Sequence, residues 1–299
     1  MQRDRVARPL SSGTYQGRPL ANPDEDIFDQ GLAFDLGTLL DRRRMLRLLG
    51  FSGLFVLAAC KSSTLGTSSS PSTSASTAST ASTPSTGGGD CAAIPKETAG
   101  PYPGDGSNGP DVLSQSGIVR SDIRSSFGEF SGTAEGVPLT IKLAIQDGSN
   151  GCAPMSGAAV YVWHCDRGGN YSLYSITDQN YLRGVQEAGA DGIVTFQSIF
   201  PACYSGRWPH IHFEVYPDLS AANDDANKIA TSQIALPEDV CNAVYATTGY
   251  EQSAQNIQQV SLASDNVFGD DGGARQLGQV TGSVEDGYTV TLTVPVNAA

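Results

Sequence analysis

The sequence predicts an all-β fold, a β-sandwich that forms one folded domain behind a leader and a Ser/Thr-rich tether. Three observations point there. Short runs of β-branched and aromatic residues recur, with Gly and Asp turns between them. Glycine (34) and proline (16) are plentiful, while charged residues make up only 16% of the 299 residues. Such a composition suits a protein with many turns. Helical patterns do not alternate with the strand-like runs, which speaks against a parallel α/β sheet.

Residues 1–59 read as a leader. Arg42 and Arg43, within Asp41-Arg42-Arg43-Arg44-Met45-Leu46-Arg47, resemble the pair of a twin-arginine export signal. The apolar run from Leu48 to Ala59 is too short to span a bilayer and suits a signal h-region. It ends in Leu57-Ala58-Ala59-Cys60, which resembles a bacterial lipobox. Cys60 is therefore expected to be lipidated, giving an exported, membrane-anchored lipoprotein on the periplasmic or cell-surface side. The stretch 60–89 is almost entirely Ser, Thr, Pro, Ala and Gly after the cysteine. It cannot bury a core and reads as a disordered tether. Residues 90–299 are long enough for one domain with a sizeable core.

Within that domain, strands are expected at Val137 to Ile145, Ala158 to His164, Gly192 to Phe200, His210 to Tyr216, Ile229 to Leu236 and Tyr288 to Val296. Each is bounded by turn residues such as Asp147-Gly148 or Asp286-Gly287. Pro237 to Tyr245 reads as one short helix. The net charge of −13, with no basic patch, argues against a nucleic-acid partner. Five cysteines remain after Cys60, namely Cys91, Cys152, Cys165, Cys203 and Cys241. Two disulfides and one free thiol are expected for an exported protein, with the pairing open. No Cys-x-x-Cys is present, so a zinc ribbon or iron–sulfur cluster is not expected.

The chemistry centres on Arg207-Trp208-Pro209-His210-Ile211-His212-Phe213-Glu214-Val215. On a strand, residues two apart share a face, so His210 and His212 present two imidazoles together. That is half of a metal site. The chain has three histidines, so four imidazoles are impossible. His164 is either a third ligand or a buried, hydrogen-bonded histidine on an apolar strand. Tyrosine is the other available donor: a phenolate is a hard anionic oxygen that suits ferric iron. Tyr171 and Tyr204 stand in turn-like segments, Gly168-Gly169-Asn170-Tyr171-Ser172 and Pro201-Ala202-Cys203-Tyr204-Ser205-Gly206.

Two runs carry a resemblance. One is Val160-Tyr161-Val162-Trp163-His164-Cys165-Asp166 with Gly169-Asn170-Tyr171-Ser172. The other runs from Pro201-Ala202-Cys203-Tyr204 through Arg207-Trp208-Pro209-His210-Ile211-His212-Phe213. Together they resemble the intradiol ring-cleavage dioxygenases, over most of residues 92–240. The resemblance implies a β-sandwich carrying non-haem Fe(III). It implies Tyr171, Tyr204, His210 and His212 as the metal ligands, with Tyr171 and His210 equatorial and Tyr204 and His212 axial. Arg207 would lie beside the substrate and stabilise developing negative charge, and Tyr204 would also act as a base. Gln233 and the pocket-wall residues Gly100, Pro101 and Tyr102, within Glu97-Thr98-Ala99-Gly100-Pro101-Tyr102, would contact substrate. The implied reaction cleaves a catechol between its two hydroxyls with O2, giving a muconate-type diacid. The chain departs from the family pattern in a short Tyr204–His210 loop and in Cys203, where glycine is common.

Two other readings compete. A non-catalytic β-sandwich binding module of a surface lipoprotein predicts no O2 uptake. A copper or zinc protein using His164, His210 and His212 predicts metal binding that survives Tyr171→Phe.

Overall fold

A computed structural model of the chain describes residues 14–15, 18–19 and 91–297. The chain divides into two compact units, Met1–Gly87 and Gly88–Ala299. In the first, Thr14–Tyr15 pairs antiparallel with Arg18–Pro19. The twin-arginine-like segment, the apolar run, Cys60 and the tether lie outside the described residues. Among the described residues, no helix is long and apolar enough to cross a membrane.

The second unit is a sandwich of two sheets. In the first sheet, β1 (Pro138–Asp147) pairs with the short β2 (Ala153–Pro154), with β5 (Ile193–Ile199) and with the last strand, β9 (Gly287–Val296). β8 (Gln279–Ser283) is hydrogen-bonded to the far side of β9. The β1–β9 pair is parallel and the others are antiparallel. The second sheet is wholly antiparallel, in the order β4 (Arg183–Glu187), β3 (Ala159–Trp163), β6 (His210–Tyr216), β7 (Ala230–Ala235).

β1 shows why the sequence makes strands. Leu139, Ile141, Leu143 and Ile145 are buried, while Pro138, Thr140, Lys142, Ala144 and Gln146 alternate with them, less buried. The buried set meets Ile211, Phe213, Val215, Val160 and Val162 from the other sheet in the principal core. β6 does not alternate in burial, because all seven of its residues are covered. Its even face carries His210, His212, Glu214 and Tyr216 away from the sheet–sheet core. That outer face has its own packing layer, in which Tyr161, Trp163, Tyr171 and Tyr216 gather with Val112, Leu113 and Ile118. Residues between Ala99 and Ile118 thus roof the second sheet, and a polar site can sit between sheet and roof.

The expected strands are present within a residue or two, and α1 (Glu238–Tyr245) follows the expected helix. Among the strands and α-helices of the second unit, four were not expected: the two-residue β2, β4, β8 and a second helix, α2 (Glu251–Asn256). β4 reads Arg-Gly-Val-Gln-Glu, with one β-branched residue, and β8 is largely exposed, so neither carries a strong pattern. The disulfide expectation is corrected. Cys91 pairs with Cys152, and Cys165, Cys203 and Cys241 are free and buried. The Cys165 and Cys203 thiols point at backbone carbonyls, of Ala202 (3.7 Å) and Arg207 (3.5 Å), and Cys241 is buried in the core on α1.

Candidate metal centre

Three loops and one strand build the site. The Tyr171 loop leaves β3 and turns on Asp166, whose carboxylate accepts the backbone N–H groups of Gly168 and Asn170 (both 2.9 Å). The Asp166 carbonyl accepts Ala202 N–H at 3.2 Å, tying this loop to the one that carries Tyr204. Gly169 lets the two approach: its φ is +86°, and a Cβ there would lie 3.2 Å from the Cβ of Tyr204. From the other side, α2 props the Tyr204 loop. Ser253 Oγ accepts Cys203 N–H (3.0 Å), and Asn256 Nδ2 donates to the Cys203 carbonyl (2.8 Å).

His210 and His212 project from β6 as the two-residue spacing requires, with ring centroids 4.7 Å apart. His210 Nδ1 lies 2.6 Å from the Trp208 carbonyl, so Nδ1 carries the proton and Nε2 bears a lone pair. That lone pair faces both Tyr204 Oη (3.2 Å) and His212 Nε2 (3.1 Å). The Tyr171 ring stands edge-on to Tyr204 and His212, at 6.0 and 6.2 Å between centroids. Tyr171 Oη is buried without a hydrogen-bond partner, as is His212 Nδ1. Burial holds both imidazoles well below the usual histidine range, which keeps them neutral. Burial, reinforced at Tyr171 by neighbouring Tyr204, pushes both phenols up, Tyr204 to about 12.

The cluster lacks one thing. A single imidazole lone pair is shared by two would-be donors, and one buried phenol has no acceptor. A cation at the centre resolves both defects, because it takes lone pairs from two imidazoles and two phenolates. It would also reverse the upward pressure on the phenols. The two histidines and two tyrosines therefore fit a hard trivalent ion. Among the described residues, no three His, Cys, Asp or Glu side chains gather as a metal site. A metal held here would therefore have to draw on the phenols as well as the imidazoles.

His164 belongs elsewhere. Its Nδ1 donates to the Cys165 carbonyl and its Nε2 accepts from Ser198 Oγ, both at 2.7 Å, inside the protein. The copper or zinc arrangement through His164 is thereby disfavoured. Arg207 is held at 14% side-chain exposure by Asp265 Oδ2 (2.9 Å) and by Gln233 Oε1 (2.6 Å). Gln233 in turn donates to the Thr98 carbonyl (3.0 Å). Gly100 lies against His212: a Cβ there would be 3.3 Å from His212 Cε1. The Tyr102 ring lies tilted, 36° and 5.0 Å from the Tyr171 ring, and the carbonyl of Pro101, between Gly100 and Tyr102, accepts from Asn108 Nδ2 (2.8 Å). Tyr171, Tyr204, His210, His212, Arg207, Gln233, Gly100 and Tyr102 are thus linked by these contacts, whereas Pro101 is exposed and is met by Asn108 rather than by any of them.

The sequence did not reveal Trp163, Arg183 and Asp265. Trp163 stacks on His212 at 4.9 Å and 6°. Its place one residue before His164, in a strand, was the available signal. Asp265 sits 58 residues from Arg207 in a segment without a pattern.

No protein-family model matches the chain. Over 69% of the chain the structure is similar to the intradiol ring-cleavage dioxygenase from Tetranychus urticae, covering 95% of it, with TM-score 0.55 and 24% identity. The chain has the fold of an intradiol ring-cleavage dioxygenase. A weaker likeness, TM-score 0.44 with 17% identity, is to catechol 1,2-dioxygenase from Pseudomonas arvilla C-1, over 69% of this chain and 63% of that one. By sequence, 53 residues are 43% identical to chlorocatechol 1,2-dioxygenase of Rhodococcus opacus. That match spans 17% of this chain and 21% of the curated relative.

Proposed function

We propose that the chain is an Fe(III)-dependent intradiol dioxygenase. It would cleave a catechol between its two hydroxyls with O2 to give a muconate-type diacid. The observation that carries this reading is the convergence of Tyr171, Tyr204, His210 and His212, with Tyr171 Oη left without a partner. Ferric iron held there would withdraw electron density from a bound catecholate and make the ring reactive toward O2. The remaining work falls to the chain. Tyr171 is buried, whereas Tyr204 is half-buried beside exposed Ser205 and Gly206. Tyr204 is thus the phenol placed to receive a substrate hydroxyl proton. Arg207 arrives already oriented by Asp265 and Gln233, so its charge stabilises negative charge developing on the ring without reorganising. The Gly100–Tyr102 segment closes the space over His212 and Tyr171.

The same reading keeps the protein exported and lipid-anchored through Cys60. The Cys91–Cys152 disulfide, immediately after the tether, supports an oxidising compartment. The test is a visible spectrum of Fe(III)-loaded protein with O2 uptake on catechol. A phenolate-to-iron band that shifts on anaerobic catechol addition, together with O2 uptake, is expected. A colourless protein that retains iron, or no O2 uptake by a coloured one, overturns the reading. Loss of the anchor in Cys60→Ser, seen as release from the membrane fraction, tests the localisation.

A further inference from the structure

Arg183 opens β4 and is 1% exposed. A buried guanidinium normally meets a carboxylate. Among the described residues, none lies within ion-pair distance of Arg183. Its five N–H groups are met instead by two hydroxyls and three backbone carbonyls. Nε donates to Ser172 Oγ (3.1 Å), Nη1 to the Pro103 carbonyl (2.6 Å) and Tyr161 Oη (3.0 Å), and Nη2 to the Tyr102 and Ser172 carbonyls (both 2.9 Å). Apart from Tyr161, on β3, the acceptors come from two separate loops, one carrying Tyr102 and the other carrying Ser172, the neighbour of Tyr171.

We propose that Arg183 is a positioning residue that locks the Tyr102 wall onto the Tyr171 loop. It rests on the reading of Tyr171 as an iron ligand and Tyr102 as a pocket wall. The geometry is that of a two-sided clamp. Both Ser172 contacts lie one residue from Tyr171, and the Tyr102 and Pro103 contacts fix the backbone of the wall. Between them, the Tyr102 and Tyr171 rings meet at 5.0 Å. The Tyr171 loop needs such a tie, because Leu173, next after Ser172, adopts φ +70°. Gly104 makes room for the clamp, since a Cβ there would lie 2.7 Å from Arg183 Nη1. A planar fork of five donors spans both loops, and a lysine with three donors cannot.

The test uses the full chain, as wild type, Arg183→Lys and Arg183→Gln. In iron-free protein, amide hydrogen exchange is followed in segments 101–105 and 171–176. In iron-loaded protein, kcat and KM are measured with catechol, and the phenolate band is recorded. Exchange in both segments is expected to quicken at least about tenfold in both variants, the scale of one lost charge-assisted hydrogen bond. Catechol KM is expected to rise, and kcat/KM to fall about tenfold to a hundredfold, as for a displaced binding wall. The phenolate band is expected to move. A role in stability alone would quicken exchange throughout the domain to the same extent, with no excess in these two segments, and would leave KM and band position at wild-type values. That result overturns the proposal. If Arg183→Gln does not fold, Ser172→Ala replaces it, removing the Nε acceptor and the Ser172 Oγ–H bond to the Tyr181 carbonyl, neither of which touches the 101–105 backbone; unchanged exchange in segment 101–105 then overturns the clamp. A wild type without an iron band or turnover defeats the ligand reading instead, and the exchange arm still decides whether Arg183 couples the loops.

Discussion

Asp265→Asn tests how Arg207 is held. The Asp265 carboxylate is fully buried and takes four hydrogen bonds. Oδ2 accepts Arg207 Nε–H (2.9 Å) and Trp208 N–H (2.7 Å), and Oδ1 accepts the N–H groups of Val267 (2.8 Å) and Phe268 (3.1 Å). Asparagine keeps the shape but replaces one oxygen by an NH2 group. Whichever way the amide turns, that NH2 faces two donors. Two charge-assisted hydrogen bonds are lost at about 1.5–3 kcal/mol each, and Arg207, 14% exposed, loses its charged partner in either orientation. The loss is therefore set at about 3–5 kcal/mol, the range for breaking one side of a buried pair. That corresponds to a fall in Tm of about 6–20 °C for a unit of this size. Urea unfolding followed by tryptophan fluorescence reads it directly. The Trp163 indole stacks on His212, and Trp208, whose backbone N–H donates to Asp265 and whose indole donates to the Leu236 carbonyl, sits beside Arg207, so both residues report on this region. A loss below about 1 kcal/mol, the ordinary surface-to-average scale, would refute the claim that Asp265 anchors Arg207.

Tyr171→Phe removes a buried hydroxyl that has no partner, so iron-free stability should change by less than about 1 kcal/mol while iron retention on dialysis falls sharply. A large loss of iron-free stability would show that the hydroxyl is paired. Gly100→Ala forces a Cβ at φ +72° to 3.3 Å from His212 Cε1, which should cost about 1–2 kcal/mol and slow iron uptake; unchanged uptake kinetics count against the contact. Cys91→Ser opens a loop of 61 residues' separation, which should cost up to about 4 kcal/mol while leaving catechol KM unchanged. His164 is held neutral by burial, its pKa lowered from 6.5 to about 4. The folded state then binds fewer protons than the unfolded state between those values, so stability present at pH 7 is lost as pH falls through that window. The His164 share amounts to about 3 kcal/mol at full effect. Urea unfolding of wild type and His164→Gln at pH 7 and pH 4.5 measures it; a difference that does not change with pH removes His164 from the account.

The strands and the site ligands were legible in the sequence for local reasons. His210 and His212 share a face because strand periodicity is two, and Ile211 and Phe213 fall on the core side for the same reason. β1 alternates cleanly because one of its faces is much less buried. β4 was not legible, since its first residue is an arginine and its second a glycine. An apolar pattern cannot signal a strand whose key contacts are polar. The disulfide pairing was equally illegible, because spacing does not say which thiols point at carbonyls. Arg207 was found, and its anchor was not, because Asp265 reaches it only through the tertiary fold.

Sheet register explains what the motif alone does not. Arg183 pairs with Trp163, Trp163 with His212, and His212 with Gln233. These four residues form one row across the outer face of the second sheet. Directly opposite residues on adjacent strands lie side by side on one face, so the row orders four functions along one line. At one end Arg183 clamps the Tyr102 and Tyr171 loops, and at the other Gln233 orients Arg207. In the middle, Trp163 lies flat on His212 and fixes its ring plane, which leaves Nε2 aimed at the other donors. A one-residue slip of β6 against β3 would turn His212, and His210 with it, to the core side and take His212 out of this row. The site therefore depends on the same register that packs Ile211 and Phe213. A core substitution that shifts β6, such as Phe213→Ala, should cost stability and also separate His212 from Trp163. An iron-free protein that loses the stability but keeps native Trp163 fluorescence would show the two to be independent.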